Sequence, residues 1–389
     1  MKQGYKQTDV GVIPQDWNVK TVGEFNNVKT GPFGSALHQK DYVEDGTPII
    51  TVEHLGEQGV LHHNLPMVSD KDKIRLSAYL LEKQDIVFSR VGSVDRNSMI
   101  TIFEDGWLFS GRLLRLRPNK GECNAKYLSY YFHHEPTKQR IRGVAVGQTM
   151  PSLNTQILKD IKVALPPTLA EQTAIAAALS DMDNLIAGLE QLIAKKKAIK
   201  QGAMQELLRP KEGWSQEPIK SIALISTGAK NTQDKIENGI YPFFVRSEVV
   251  ERINSYSFDG EAVLVAGDGV GTGKVIHYAK GKFDYHQRVY KISDFQSNIH
   301  GFFFYLFFKN NFLSRIMQMT AKSSVDSVRR EMIADMIIHF PDFNEQERIA
   351  YILRDMNDEI MLLESNLDKY KLLKQGMMQE LLTGKTRLV

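Results

Sequence analysis

The chain has 389 residues, too many for one ordinary core and enough for two domains of roughly 100–200 residues each. Its 42% hydrophobic and 24% charged residues exclude wholesale disorder, and its formal charge of +3 neither demands nor excludes a nucleic-acid partner. One cysteine (Cys123), no apolar run near the ~18 residues of a membrane span, and an opening Met1-Lys-Gln-Gly-Tyr without a secretory apolar stretch lead us to expect a soluble cytoplasmic protein.

In chain order, a short segment (1–16) leads into a first globular α/β domain (17–167). Turn-like stretches of that domain carry Lys29, Ser35, His38 and Lys40, then Arg90, Ser93, Arg96 and Asn97, then Arg112 and Gln148. These are the residue types that read base edges or neutralise phosphates. A helix follows over 168–210, where Ile175, Leu179, Met182, Ile186, Leu189 and Ile193 alternate at spacings of four and three, the 3.5-residue period of a coiled-coil seam. Thr168, three before Glu171, offers a capping box, and Pro210 offers a stop. A second α/β domain (211–342) carries Lys230, Asn231, Arg246, Lys274, His286, Gln287 and Arg288, then Ser323, Ser324, Arg329 and Arg330. A last helix and tail (343–389) repeat the seam with Ile349, Leu353, Met356, Ile360, Leu363 and Leu367, with Asn344 read as its cap and Gly384 as its stop. Each helix of about 40 residues is about 60 Å long. The simplest partner for one is the other, in antiparallel pairing; the alternative is that each packs only on its own domain. Lys195, Lys197, Lys200, Lys371 and Lys374 read as a solvated face that is also free to meet partners.

The chain repeats itself. Glu171–Leu208 and Glu345–Leu382 share about half their positions at a constant offset of 174 (345 − 171), both closing on Lys-Gln-Gly-x-Met-Gln-Glu-Leu-Leu. Trp17 and Thr30-Gly31 match Trp214 and Thr227-Gly228 at an offset of 197 (214 − 17). A weaker match joins Ser152–Ile161 to Ser327–Met336. The chain is therefore one unit written twice, a common frame around two divergent middles, with the N-terminal segment completing the C-terminal repeat. Duplicated modules with two different specificities would look like this, and so would a duplication whose halves drifted.

Several motifs invite other chemistry and fail in detail. Gly267–Lys274 is no phosphate loop, because Asp268 stands where its first glycine belongs and Val275 follows the lysine; it reads as a turn between strands Ala262–Val265 and Lys274–Tyr278. Pro166-Pro167 lacks the flanking residues of an amino-methyltransferase motif, and Asp160-Ile-Lys162 lacks the upstream acid of a nuclease. His62-His63 and His133-His134 are adjacent pairs without metal-ligand spacing. Phe302–Phe308 reads as a core helix matching Tyr127–Phe132 rather than a base-stacking platform. No catalytic constellation and no metal site emerge.

Ile13-Pro-Gln-Asp-Trp17, Lys29–Leu37, Asp85–Ser93, Gly147–Asn154, Leu165-Pro-Pro167 and the two Glu-Gln-opened helices, in that order, resemble the specificity subunit of type I restriction–modification systems over nearly the whole chain. The resemblance implies an α+β fold of two globular α/β target-recognition domains, each followed by a long conserved helix, with the two helices pairing as an antiparallel coiled coil with pseudo-two-fold symmetry. It implies a non-catalytic subunit that recognises a bipartite, asymmetric site in double-stranded DNA and docks two methyltransferase and two restriction/translocase subunits, away from any membrane. S-adenosylmethionine, ATP and Mg would be bound only by those partners. The second domain departs from the pattern, with Thr227-Gly-Ala-Lys-Asn231 lacking Phe-Gly-Ser and Val265–Gly269 replacing Phe-Ser-Arg. The competing reading from the residues alone is a coiled-coil scaffold with two protein-binding modules and no DNA role.

Overall fold

The computed structural model describes residues 3–32, 37–147, 149–269, 271–319 and 327–388. The chain forms two compact units, the first holding residues up to 190 and from 365 onward, the second 191–364.

Unit 1 opens on the hairpin β1 (Tyr5–Thr8) and β2 (Gly11–Pro14), followed by β3 (Asn18–Thr21), the single helical turn α1 (Val22–Phe25) and β4 (Asn26–Thr30). A small sheet then assembles from β5 (Tyr42–Val43), β6 (Thr47–Ile50) and β7 (Met67–Val68), before the short helix α2 (Asp70–Arg75). Next come β8 (Ile86–Ser89), β9 (Asn97–Met99), β10 (Leu108–Phe109) and β11 (Leu113–Pro118). The larger sheet is antiparallel throughout in the order β4-β11-β8-β9, and β10 joins β6 in parallel. Helices α3 (Ala125–His133), α4 (Glu135–Val144) and α5 (Thr155–Asp160) follow, then β12 (Lys162–Leu165), which pairs with β3. Strands β8 and β11 are buried along almost their whole length because both faces are covered: α3 packs on Phe88, Leu114 and Leu116, with Phe88 and Phe132 meeting edge to face at 4.8 Å, while Val87 and Leu113 pack with Ile50, Leu55, Leu81 and Phe109.

After the long helix α6 (Leu169–Leu207), unit 2 repeats the plan. It runs β13 (Ser215–Pro218), α7 (Ile219–Ile222), β14 (Leu224–Thr227), β15 (Tyr241–Phe244) and β16 (Glu251–Ile253), then the long strands β17 (Phe258–Ala266) and β18 (Ile276–Tyr285), and β19 (Val289–Ser293). These build one six-stranded sheet in the order β14-β19-β17-β18-β15-β16, with only β15 and β18 parallel. Helix α8 (Gly301–Met319) covers the sheet with Phe303, Phe304, Phe307 and Phe308 buried, so the aromatic run is core. The turn α9 (Arg330–Ala334), the strand β20 (Ile337–Phe340) paired with β13, and the first part of the long helix α10 (Phe343–Leu381) end the unit.

Helices α6 and α10 are each 39 residues long. Thr168 caps α6, its hydroxyl accepting the Glu171 N–H at 3.2 Å. The cap of α10 is Asp342, whose carboxylate accepts the Glu345 N–H at 3.0 Å, and not Asn344, which lies inside the first turn. Asp342 is the residue 174 positions after Thr168 (342 − 168), so the duplication identifies the cap where the local pattern misleads. Both helices open with the same clamp. Buried Gln172 accepts the Asn124 N–H at 2.8 Å and donates to the Pro166 carbonyl at 3.2 Å; buried Gln346 accepts the His300 N–H at 2.9 Å and donates to the Asn298 and Pro341 carbonyls, each at 2.9 Å.

None of the twelve seam residues is exposed. In unit 1, Ile175 and Leu179 pack in one cluster with Met378, Leu381 and Leu382; in unit 2, Ile349 and Leu353 pack with Leu208, beside Met204 and Leu207. Within each unit the helices run antiparallel, as ion pairs record. Asp183–Lys374 (2.6 Å) and Glu190–Lys371 (2.8 Å) show it in unit 1; in unit 2 Lys196–Glu359 (2.7 Å) followed by Lys200–Asn357 (2.6 Å) shows it, beside a further pair, Lys197–Glu364 (2.7 Å). Lys197, Lys371 and Lys374 are thus cross-helix partners rather than a merely solvated face, and Lys200 likewise reaches Asn357 at 2.6 Å. Unit 1 also gathers the chain ends. Arg387 bonds both carboxylate oxygens of Asp16 at 3.0 Å and buried Glu171 at 2.8 Å, which raises its pKa, while Gly384 (φ +68°) sits so close to Pro14 that a Cβ would lie 2.5 Å from the proline ring. Among the described residues, no helix is long and apolar enough to cross a membrane.

Candidate nucleic-acid interface

Because β11 runs antiparallel to both β4 and β8, the ends of β4 and β8 and the start of β11 share one edge of the unit 1 sheet. Arg90 leaves β8 there. Its N–H donates to the Arg112 carbonyl at 2.8 Å, and its guanidinium lies 3.5 Å from both the Thr30 hydroxyl and the Gly111 carbonyl. Gly31 turns the β4 end into the same edge, so close to Ser110 that a Cβ would sit 2.1 Å from the carbonyl oxygen; only glycine fits. The loop around Val146 and Ser152 closes the other side, with the Leu153 N–H bonding the Arg90 carbonyl at 2.8 Å. Beside the Ser110–Arg112 turn opens a cavity of about 710 Å³, lined by Thr51, Glu53, Arg96, Ser110 and Arg112 among others. Arg96 is anchored through the Leu55 carbonyl, and Ser93 and Arg112 are exposed.

The edge therefore collects Arg90, Ser93, Arg96 and Arg112. His38 and Lys40 are exposed on the turn that follows Leu37 at the cavity wall, the His38 N–H bonding Asp41 at 2.7 Å. Lys29 and Asn97 already have partners in the fold. Lys29 donates to the Ala78 carbonyl at 2.8 Å and covers the Tyr79 ring at 4.5 Å. Asn97 is 1% exposed, and its backbone carbonyl takes the Nε2–H of His133 at 3.1 Å; burial pushes the pKa of that histidine down to about 4. Ser35, Gln148, Ser323 and Ser324 lie outside the described residues.

Unit 2 builds the same edge from different side chains. Gly228 packs on the carbonyl of Tyr285, one residue before the equivalent of Ser110, and a Cβ there would fall 1.9 Å from that oxygen. The Gly267 N–H donates to the Arg288 carbonyl at 2.8 Å and the Val328 N–H to the Gly267 carbonyl at 2.7 Å, reproducing bond for bond what Arg90 makes with Arg112 and Leu153. Likewise Asp268 bridges Ser327 as Val91 bridges Ser152, and the His286 N–H meets the Phe244 carbonyl as the Ser110 N–H meets Ile50, both at 2.9 Å. Arg112 and Arg288 are thus equivalent, whereas Arg90 is matched by Gly267 and Val91 by Asp268.

On this frame Lys230 bridges His286, and the Gln287 side chain donates to Asn231 at 2.5 Å. Asp268 holds Arg246 at 2.9 Å and Arg288 at 3.2 Å. His286 is 4% exposed and its Nδ1 accepts the Arg288 N–H at 2.9 Å; burial, then the nearby Arg246 charge, lowers its pKa and keeps that nitrogen an acceptor. Lys274 and Arg329 are exposed, and Arg330 reaches the Ile225 carbonyl at 3.5 Å. Every described candidate of unit 2 except Arg330 is therefore tied to this edge or its glycine turn, or stands exposed beside it.

Sequence reasoning passed over Thr51, Glu53 and Asp268. Glu53 and Asp268 are acids, and a search for groups that favour phosphate sets acids aside. The signal that would have found Asp268 is the repeat itself, read at the sheet edge rather than in the helices. Both edges carry convergent guanidinium donors, small hydroxyls and glycine-permitted backbone, a set suited to a polyanion and to base edges. Among the described residues, no group of His, Cys, Asp and Glu is arranged to hold a metal ion.

A family model described as the type I restriction modification DNA specificity domain matches residues 14–201 and again 211–369. The putative type I restriction enzyme MjaX specificity subunit of Methanocaldococcus jannaschii is 32% identical over 212 residues, 53% of this chain; the match spans 48% of that relative, about half its length. The MjaVIII specificity subunit of the same organism is 20% identical over 100% of this chain and 97% of its own. The crystal structure of a type I restriction–modification S subunit from M. genitalium superposes with a TM-score of 0.65 at 15% identity, covering 98% of this chain and 99% of that one, a likeness of fold. The duplicated frame, the paired helices and the two family matches together place this chain in the type I restriction–modification DNA specificity family, whose members are specificity subunits rather than enzymes.

Proposed function

We propose that the chain is the DNA-reading subunit of a cytoplasmic type I restriction–modification complex, with domains 17–167 and 211–342 each reading one half of a bipartite, asymmetric site. The helices at 168–210 and 343–389 serve as spacer and as the surface on which two methyltransferase and two restriction/translocase subunits assemble. Those partners carry S-adenosylmethionine, ATP and Mg. The observation that supports this reading is the pair of sheet edges, which share the backbone bonds around Arg90 and Gly267 and differ in side chains. A frame kept and a reading surface changed is what two unlike half-sites require.

The test is to co-express the chain with methyltransferase subunits encoded beside it and to map methylated adenines. We expect a bipartite motif that vanishes without this chain. Arg112→Ala should relax one half and Arg288→Ala the other, each by about 1–3 kcal/mol of discrimination. Seven residues inserted at matching points of both helices add ~10 Å, and should widen the gap by about three base pairs. A motif that persists without the chain overturns the assignment, and an unchanged gap overturns the spacer.

A further inference from the structure

The carboxylate at the edge of unit 2 stands where a DNA-facing surface would be expected to avoid negative charge. Asp268 is 20% exposed at its side chain, while the two arginines it holds are 42% and 63% exposed. Exposed ion pairs contribute little to stability, so the arrangement calls for another explanation. Each guanidinium gives Asp268 a single nitrogen, Nη1, at 2.9 Å from Arg246 and 3.2 Å from Arg288, one to each carboxylate oxygen. A guanidinium has five N–H donors in a rigid fork, so most of each fork stays available. The carboxylate also offsets the repulsion that would otherwise drive two cations apart.

The roots of both arginines are fixed as well. The Arg288 carbonyl accepts the Gly267 N–H at 2.8 Å, and its N–H is taken by His286 Nδ1 at 2.9 Å. The Arg246 carbonyl lies against Gly271, where a Cβ would come within 2.7 Å of it. Among the described residues, unit 1 has no counterpart to this hub. Val91 occupies the Asp268 position, and Val52, two residues after Ile50, occupies that of Arg246, two after Phe244.

Building on the DNA-reading function above, we propose that Asp268 is a positioning residue that couples Arg246 and Arg288 into one pre-oriented guanidinium pair, and that this pair reads guanine in the half-site of unit 2. Guanine presents two acceptors, O6 and N7, in the major groove, matched by one guanidinium fork. Holding the forks in place before contact removes part of the side-chain entropy that flexible arginines lose on binding.

The experiment uses the complex of the full chain with its methyltransferase subunits, a duplex carrying the mapped motif, and duplexes in which each guanine of the unit 2 half-site is replaced. Asp268→Asn should lower discrimination at one or two guanines roughly 5- to 100-fold, while binding to an unrelated duplex is unchanged or tighter, since one negative charge is gone. Asp268→Glu should restore part of that discrimination. Should Asp268→Asn prove unfolded in a thermal melt, Arg246→Lys and Arg288→Lys decide, because each keeps the charge and removes the fork; the same guanine positions should relax. Full discrimination in the folded Asn variant, or in both Lys variants, overturns the proposal, as does a half-site without guanine. Failure of the parent complex to bind its mapped duplex would instead overturn the DNA-reading function itself.

Discussion

At the edge of unit 1 the residue leaving the central strand is Arg90, reaching back to Thr30 and Gly111. At the matching edge of unit 2 that residue is Gly267, and the charge has moved to Arg246, joined to Arg288 through Asp268. The backbone bonds beneath the two are the same. The comparison teaches how a duplicated domain diverges: bonds that hold the loops are kept, while the side chains they present are exchanged. It also shows where the exchange is permitted. Gly31 and Gly228 are retained, because a Cβ at either would enter a carbonyl oxygen.

Three experiments would break or sharpen that comparison. The largest effect is expected from Gly31→Ala and Gly228→Ala, which force backbone apart and should each cost ~3 kcal/mol or more. Calorimetry of the full chain should show each lowering the unfolding temperature, and methylation mapping should show each erasing a different half of the motif. One tolerated and one destructive substitution would mean that the two frames are not equivalent. Next, Gln172→Ala and Gln346→Ala each strand buried backbone groups, at ~1–3 kcal/mol. The two should destabilise by similar amounts in urea titrations, and a difference above about 1 kcal/mol would break the symmetry of the helix clamps.

The smallest effect concerns His286, whose equivalent in unit 1 is Ser110. Its pKa is lowered in the folded protein, so its contribution is complete above the unfolded value near 6.5 and is lost as pH falls below it. Recognition of the unit 2 half-site should therefore weaken a few-fold between pH 7 and 5.5, measured as discrimination against a duplex altered in that half. His286→Ser should flatten this response. A response unchanged by the substitution would show that the histidine does not carry it.

Much of this organisation was legible from residues alone, because the helices announce themselves by period. The seam from Ile175 to Ile193 and its copy need only one helix's own geometry. The cap of α10 was misread for the opposite reason. Asn344 and Asp342 both suit a cap, and the choice depends on where the chain turns out of β20. Lys29 and Asn97 looked like Arg90 and Ser93, polar residues in turn-like stretches. Which of them Tyr79 or His133 would claim depends on residues tens of positions away.

The sequence by itself determined the duplication, the two long seamed helices and the presence of two unlike modules, since each is written in local periodicity or in direct self-similarity. Tertiary structure alone decided that Arg112 and Arg288 are the same residue of the frame, and that an aspartate belongs among the arginines of unit 2. Those facts arise where the ends of three strands and a glycine turn converge, and the contacts joining them are set by strand pairing over long sequence separations.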